Sequence, residues 1–188
     1  MKKIYVVLTR TNTLLSNIIS LIKRDEYTHA SLSLDKSFET MYSFGRKYTY
    51  NPFIGTFVTE NFNEGVYGFH EYLHGKVIEI RVTDNQHKKI TGLLNEFESN
   101  RNEYRYNYAG LFRSLFNAET HSEKNFLCSE FVYYVLNSAD IADFGIHRSL
   151  VRPQDFLNLN GKVIYSGNLK NINTSLNHLK YLIQNGAA

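Results

Sequence analysis

A single cysteine, Cys128, stands among 188 residues. That excludes an intramolecular disulfide and every multi-cysteine zinc or iron–sulfur site, and it points to a reducing compartment. Proline is scarce at two, tryptophan is absent, and the 11 glycines are scattered rather than clustered. A disordered linker or a low-complexity tail is thereby excluded. Runs of like charge are missing too: the 21 basic residues come at most in pairs such as Lys2-Lys3, Lys23-Arg24 and Lys88-Lys89. Without a stripe of phosphate-tracking cations, nucleic acid is not an expected partner, and the net charge of +3 bears mainly on solubility and encounter rates. No stretch approaches the ~18 uninterrupted apolar residues of a membrane span. The opening run Ile4-Tyr5-Val6-Val7-Leu8 is cut off by Arg10 and followed by no small-residue cleavage site, so no secretory leader and a cytoplasmic location are expected.

What is present suits one globular domain over residues 1–188: 43% hydrophobic and 21% charged residues, with 14 Tyr and 13 Phe to build a ring-rich core. A chain of this size buries about 70% of its unfolded surface and needs neither disulfide nor metal to fold. Residues 4–9 read as a buried strand, and Thr11 or Thr13 caps a helix carrying Leu14, Leu15, Ile18, Ile19 and Ile22 on one face. Residues 27–34 alternate with period two, break at Asp35-Lys36-Ser37 and resume over 38–44, which predicts a β-hairpin. Residues 45–75 hold no sustained period beyond a short strand at 56–59 and read as a long, partly ordered loop. Further on, the pattern predicts a strand over 76–82, a helix capped by Asp84 with Ile90, Leu93, Leu94 and Phe97 inward, and a helix from about Tyr108. An apolar helix over 126–138, a strand over 162–165 and an amphipathic helix over 174–184 complete the chain. Strands and helices interleave without a βαβ rhythm, so the expected class is α+β.

Cys128 lies where a polar stretch turns into the apolar helix, in Phe126-Leu127-Cys128-Ser129-Glu130-Phe131-Val132. A sulfur in the first helical turn meets unpaired amides and the positive end of the helix dipole, which favour a thiolate and can hold an oxyanion. Free cysteines are also common packing residues. A nucleophilic thiolate needs a base, and His29 is the one histidine inside a predicted central strand, where few rotamers remain and the ring can be aimed across a cleft. His70, His74, His87, His121, His147 and His178 fall in predicted loops or on helix surfaces. A third group is sought on the next strand of the hairpin, at Glu39 or Tyr42. A three-residue turn puts Glu39 on the His29 face and a two-residue turn puts it on the other. Glu130 points about 200° from Cys128 on a helix and serves as a first-turn carboxylate, while Ser129 caps or packs. His70 and His74, the closely spaced pair, lack a third ligand, so no metal is expected. No glycine-rich phosphate loop calls for a nucleotide, and no cofactor is expected.

This order of parts resembles the circularly permuted NlpC/P60 (YiiX-like) branch of the papain-like superfamily: Tyr27-Thr28-His29-Ala30-Ser31-Leu32, then Glu39, then Tyr106-Asn107-Tyr108-Ala109-Gly110-Leu111, then Phe126-Leu127-Cys128-Ser129-Glu130-Phe131-Val132. In that branch His precedes Cys along the chain. The resemblance implies a permuted papain-like fold, with a small antiparallel sheet packed against the nucleophile helix. It also implies a cysteine amidase or peptidase acting through a thioester acyl-enzyme, with Cys128 as nucleophile, His29 as base and Glu39 as orienting group. The implied partner is a peptide-like or acyl small substrate; acyl transfer or thioester hydrolysis on a lipid-like substrate and an inactive peptide-binding domain are the alternatives. The rings of residues 45–75 (Tyr48, Tyr50, Phe53, Phe57, Phe62, Tyr67, Phe69) either rim the cleft or cover the sheet.

Overall fold

The computed structural model describes residues 1–10 and 25–175. The helix expected from Leu14 to Ile22 and most of the terminal helix over 174–184 lie outside the described residues. The described part is mixed α+β around a six-stranded, wholly antiparallel sheet: β1 (Lys2–Arg10), β2 (His29–Ser33), β3 (Met41–Tyr48), β4 (Asn51–Glu60), β5 (His74–Val82) and a late strand, Lys162–Asn168. The late strand sits beside β5, and β4 forms the opposite edge, with β3, β2 and β1 between. The helices are α1 (Gly65–Gly68), α2 (Asp84–Ser99), α3 (Tyr108–Leu115) and α4 (Cys128–Ser138). A two-stranded parallel ribbon pairs β6 (Arg105–Tyr106) with β7 (Asn125–Phe126), and the late strand is therefore β8.

The unbroken apolar run of β1 has a direct cause, for the strand is central and covered on both faces. Ile4, Val6 and Leu8 enter the larger core under α2 and α4, beside Ile90, Leu94, Phe131, Val132 and Val135. Tyr5 and Val7 enter a second core closed by Phe38, Phe62, Tyr67, Leu73 and Leu169. The larger core is a cluster of rings: Phe131 lies 5.5, 5.4 and 5.0 Å from Phe44, Phe57 and Phe97, mostly edge to face. Helix α2 begins one residue before expectation, because Thr83 rather than Asp84 is its cap; Thr83 accepts from the Gln86 amide, and Gln86 returns the bond to the Thr83 N–H.

Two further expectations fail in the β2–β4 region. Residues 45–60 are a long edge hairpin rather than a loop: β3 runs on to Tyr48, and β4 returns from Asn51 through the two-residue turn at 49–50. Its inward positions are Gly55 and Phe57, and the missing side chain at Gly55 hid the period. Glycine is required there, since a Cβ would come within 2.5 Å of Tyr106 Cβ. The β2–β3 turn is neither of the two short forms. Ser33 pairs with Met41 and Leu32 with Tyr42, so seven residues intervene. Phe38 turns through a positive φ of 55° to place its ring in the second core, and that detour lengthens the connection.

Candidate active site

The N-terminus of α4 is built before the cysteine is considered. Ribbon β6–β7 sets Tyr106 opposite Phe126, and the Asn107 N–H bonds the Phe126 carbonyl at 3.0 Å. Phe126 and Leu127 are buried anchors, and Leu127, in extended conformation, starts the helix. Glu130 Oε2 accepts the otherwise orphaned Leu127 N–H at 3.2 Å, while its Oε1 faces Arg148 Nε at 3.1 Å. The Arg148 guanidinium lies over the Phe126 ring at 4.7 Å and the Tyr134 ring at 5.5 Å. Ser129 donates to the Val151 carbonyl at 2.6 Å. Glu130 is thus the first-turn carboxylate expected from the sequence, and it is buried; burial raises its pKa, against the Leu127 amide and Arg148. Ser129 ties the helix to the 151 segment.

Cys128 is the first residue of α4 and 4% exposed. Its sulfur stands within reach of the His29 ring, with the backbone amides of Ala30 and Ser129 beside it. Burial alone would raise the thiol pKa, but the His29 charge, the His29 hydrogen bond and the two amides outweigh it and hold the thiol below its ordinary 9.0. The Tyr106 hydroxyl also stands close to the sulfur. Burial, with Cys128 and Tyr108 beside it, raises the Tyr106 pKa well above the ordinary range, so this phenol stays a proton donor.

His29 opens β2, opposite Thr9 of β1. Strand alternation sets Ser31 on its face, and both meet one carboxylate that the sequence reading did not identify. Glu60, the last residue of β4, places Oε2 3.0 Å from His29 Nε2 and 2.8 Å from Ser31 Oγ. The Tyr67 hydroxyl of α1 stands at 3.4 Å from the same oxygen and is itself fixed by Thr9 Oγ1 at 3.1 Å. With Nε2 on Glu60, Nδ1 is the nitrogen left to face Cys128. Burial would lower the His29 pKa, yet the charge of Glu60, with Tyr67 and Cys128, carries it well above 6.5. A thiolate paired with an imidazolium is the state these opposed shifts favour.

Glu39 is not brought to His29. It sits exposed in the β2–β3 turn with its N–H on Ser37 Oγ, because the seven-residue connection keeps it out of the ladder. Tyr42 pairs with Leu32, on the face away from His29, and stacks on Phe57 at 6.1 Å. His70 and His74 do not share a site: His74 belongs to β5, bonds Glu26 Oε1 at 3.0 Å and stacks on Tyr27. Of the rings in 45–75, Phe57, Phe62 and Tyr67 cover the sheet, while Tyr50 and Phe69 are exposed.

Cys128 lines a cleft together with Leu111 and Leu115 of α3 and with Val151 and Pro153. The cavity over the sulfur is about 30 Å³, enough for a water and too small for a substrate side chain. At its rim Arg152 pairs with Asp25 at 2.9 Å. Among the described residues no helix is long and apolar enough to cross a membrane. Comparison of the chain with protein-family models, with curated proteins and with solved structures gave no match.

Proposed function

We propose that the chain is a cysteine hydrolase that cleaves an amide or isopeptide bond, with Cys128 as nucleophile, His29 as general base and acid, and Glu60 in the orienting role. The observation that carries this reading is the relay of contacts from the Cys128 sulfur to the His29 ring and from His29 Nε2 to Glu60. A nucleophile at a helix start, a ring reaching it, and an acid fixing that ring are the parts that acyl transfer through sulfur requires. The order His, then acid, then Cys along the chain accords with the permuted NlpC/P60 arrangement that the motifs resemble.

In the proposed reaction the thiolate attacks the substrate carbonyl carbon, and the carbonyl π electrons move onto oxygen. The Ala30 and Ser129 amides and the Tyr106 phenol, all beside the sulfur, are the donors on hand for that oxyanion. When the C–N bond breaks, its electron pair leaves on nitrogen and takes the proton from His29, which leaves a thioester on Cys128. Water then attacks the thioester while neutral His29 accepts its proton, and the acid departs as the thiolate is restored. Glu60 orients the ring throughout and faces the imidazolium charge in the steps where His29 is protonated.

A second reading, acyl transfer or thioester hydrolysis on a lipid-like substrate, is favoured by one feature. The cleft walls carry Leu111, Leu115, Leu127, Val151 and Pro153, and the outer side of α3 exposes Phe112 and, at its end, Phe116. One experiment addresses both readings. Iodoacetamide at about pH 6–7 is expected to alkylate Cys128 faster than glutathione; slower labelling would remove the nucleophile. Mass spectrometry after incubation with aminoacyl amides or with fatty-acyl thioesters then identifies the group carried on Cys128.

A further inference from the structure

Two loops adjoin residues that line the Cys128 cleft. One leaves α3 after Leu115 and runs to β7; the other follows α4 and leads through the short 3-10 turn Arg148–Leu150 to Val151. They are already stitched together: the Thr120 N–H donates to Ser149 Oγ at 3.0 Å, and Arg148 donates to the Ser122 carbonyl. Beside this seam Glu119, His121 and His147 each bring a ligand atom within 4.8 Å of the other two, and the imidazole centroids are 4.6 Å apart.

Two imidazoles and a carboxylate form a donor set suited to zinc and its first-row neighbours rather than to calcium or magnesium, which prefer all-oxygen sites. A tetrahedral ion with bonds of about 2.0–2.1 Å holds its ligand atoms about 3.4 Å apart. Closing the gap takes movements of about 1 Å, within the rotamer freedom of His121 and Glu119, whose side chains are 78% and 50% exposed. His147 is the fixed member. Its Nδ1 lies 2.8 Å from Ser149 Oγ and accepts the Ser149 N–H at 3.3 Å, which holds the ring in one orientation; with an ion on Nε2 the ring proton moves to Nδ1 and is donated to the Ser149 hydroxyl, the outer-shell partner of a metal-bound imidazole. Ser149 is also the residue that holds Thr120, so the anchor of the ligand and the seam between the loops are one hydroxyl.

We propose that Glu119, His121 and His147 bind a divalent transition-metal ion, Zn²⁺ by their donor set, and that the ion clasps the two loops that adjoin the cleft. The ion stands apart from the chemistry at Cys128, and the site does not depend on what the enzyme cleaves. Glu119 and His121 follow Leu115 by four and six residues, and His147 precedes Val151 by four. A bound ion therefore sets the spacing of the walls over a cavity that is now about 30 Å³.

The test uses chelator-stripped full-length protein titrated with Zn²⁺ by calorimetry and with Co²⁺ by visible absorption. Cys128→Ala protein is titrated in parallel, because a thiol beside a histidine also binds zinc. One ion per chain is expected in both proteins, weakened at least about tenfold in His121→Ala and in Glu119→Gln. Zn²⁺ is expected to raise the melting temperature of wild-type and Cys128→Ala protein but not of His121→Ala. Both substituted side chains are exposed, and equal metal-free melting temperatures verify that the variants fold. No one-to-one binding, binding lost in Cys128→Ala, or binding unchanged in His121→Ala overturns the site. The clasp is read from Cys128 alkylation: a Zn²⁺-dependent change in rate of at least about twofold that disappears in His121→Ala supports it, and an unchanged rate in metal-bound protein overturns it.

Discussion

Replacing Glu60 by glutamine isolates the orienting carboxylate from everything else in the site. The amide keeps the volume of Glu60 and a carbonyl oxygen for the Ser31 hydroxyl, now 2.8 Å away, so β4 and its partners stay in place. What is lost is the negative charge 3.0 Å from His29 Nε2. A hydrogen bond to a charged group contributes about 1.5–3 kcal/mol. At about 1.4 kcal/mol per tenfold in rate, turnover should fall about 10- to 150-fold. The same change has a signature beyond rate. Glu60 is the largest influence raising the His29 pKa, so without it the ring titrates lower. The Cys128 thiol then loses the imidazolium that depresses it and titrates higher. Alkylation of Cys128, followed by mass spectrometry across pH, is expected to show its rising limb displaced to higher pH in Glu60→Gln. Glu39→Gln is the matched control: an exposed turn residue away from His29, it should leave the limb in place and change stability by no more than about 0.5 kcal/mol. A limb that moves in Glu39→Gln and stays in Glu60→Gln would refute the assignment of the carboxylate.

Gly45 offers a steric probe of the same relay: a Cβ there would stand 3.2 Å from Glu60 Oε1 and 3.9 Å from His29 Cε1. Gly45→Ala should lower turnover with a melting temperature near that of the wild type, and full activity would show that the carboxylate tolerates displacement. Arg148→Ala leaves the fully buried Glu130 without its counter-charge and should cost about 3–5 kcal/mol in urea unfolding. Glu130 is held above its ordinary 4.5 by burial, so between 4.5 and its folded value the folded chain binds the extra proton and stability falls as pH rises. Glu130→Gln should remove that fall, and a profile identical to wild type would place the titration elsewhere. Phe131→Ala opens the centre of the ring cluster and should destabilise by about 3–5 kcal/mol in the same assay, with a loss under 1 kcal/mol contradicting the packing.

Local pattern reached most of the architecture and two of the three groups in the relay. Cys128 was marked by an abrupt change from polar to apolar sequence, which is what a buried helix start looks like, and His29 by the period-two stretch around it. Glu60 carried no such mark. It is brought to His29 by two strand pairings in succession, and β4 shows no period because Gly55 occupies an inward position where Tyr106 presses against the backbone. An acid on the neighbouring strand β3 is what the hairpin pattern predicts, but the carboxylate that meets His29 stands one strand further on, in β4, and the turn takes Glu39 out of the ladder. Asp35-Lys36-Ser37 reads as a tight reversal, but Phe38 must reach the second core, and its left-handed φ of 55° lengthens the connection until Glu39 leaves the sheet. The buried Phe38 was the available warning: an aromatic residue directly after a turn signal competes with the turn for the path of the chain, and its burial outweighs a shorter loop. Glu119, His121 and His147 were hidden for a related reason, since they lie on two loops that meet through Ser149 and share no periodic element. Side chains that act from one element leave a mark at helical or strand spacing. Those that act across elements become visible once the register and the length of each connection are known, and here these were fixed by a glycine that accommodates a tyrosine and a phenylalanine that enters a core.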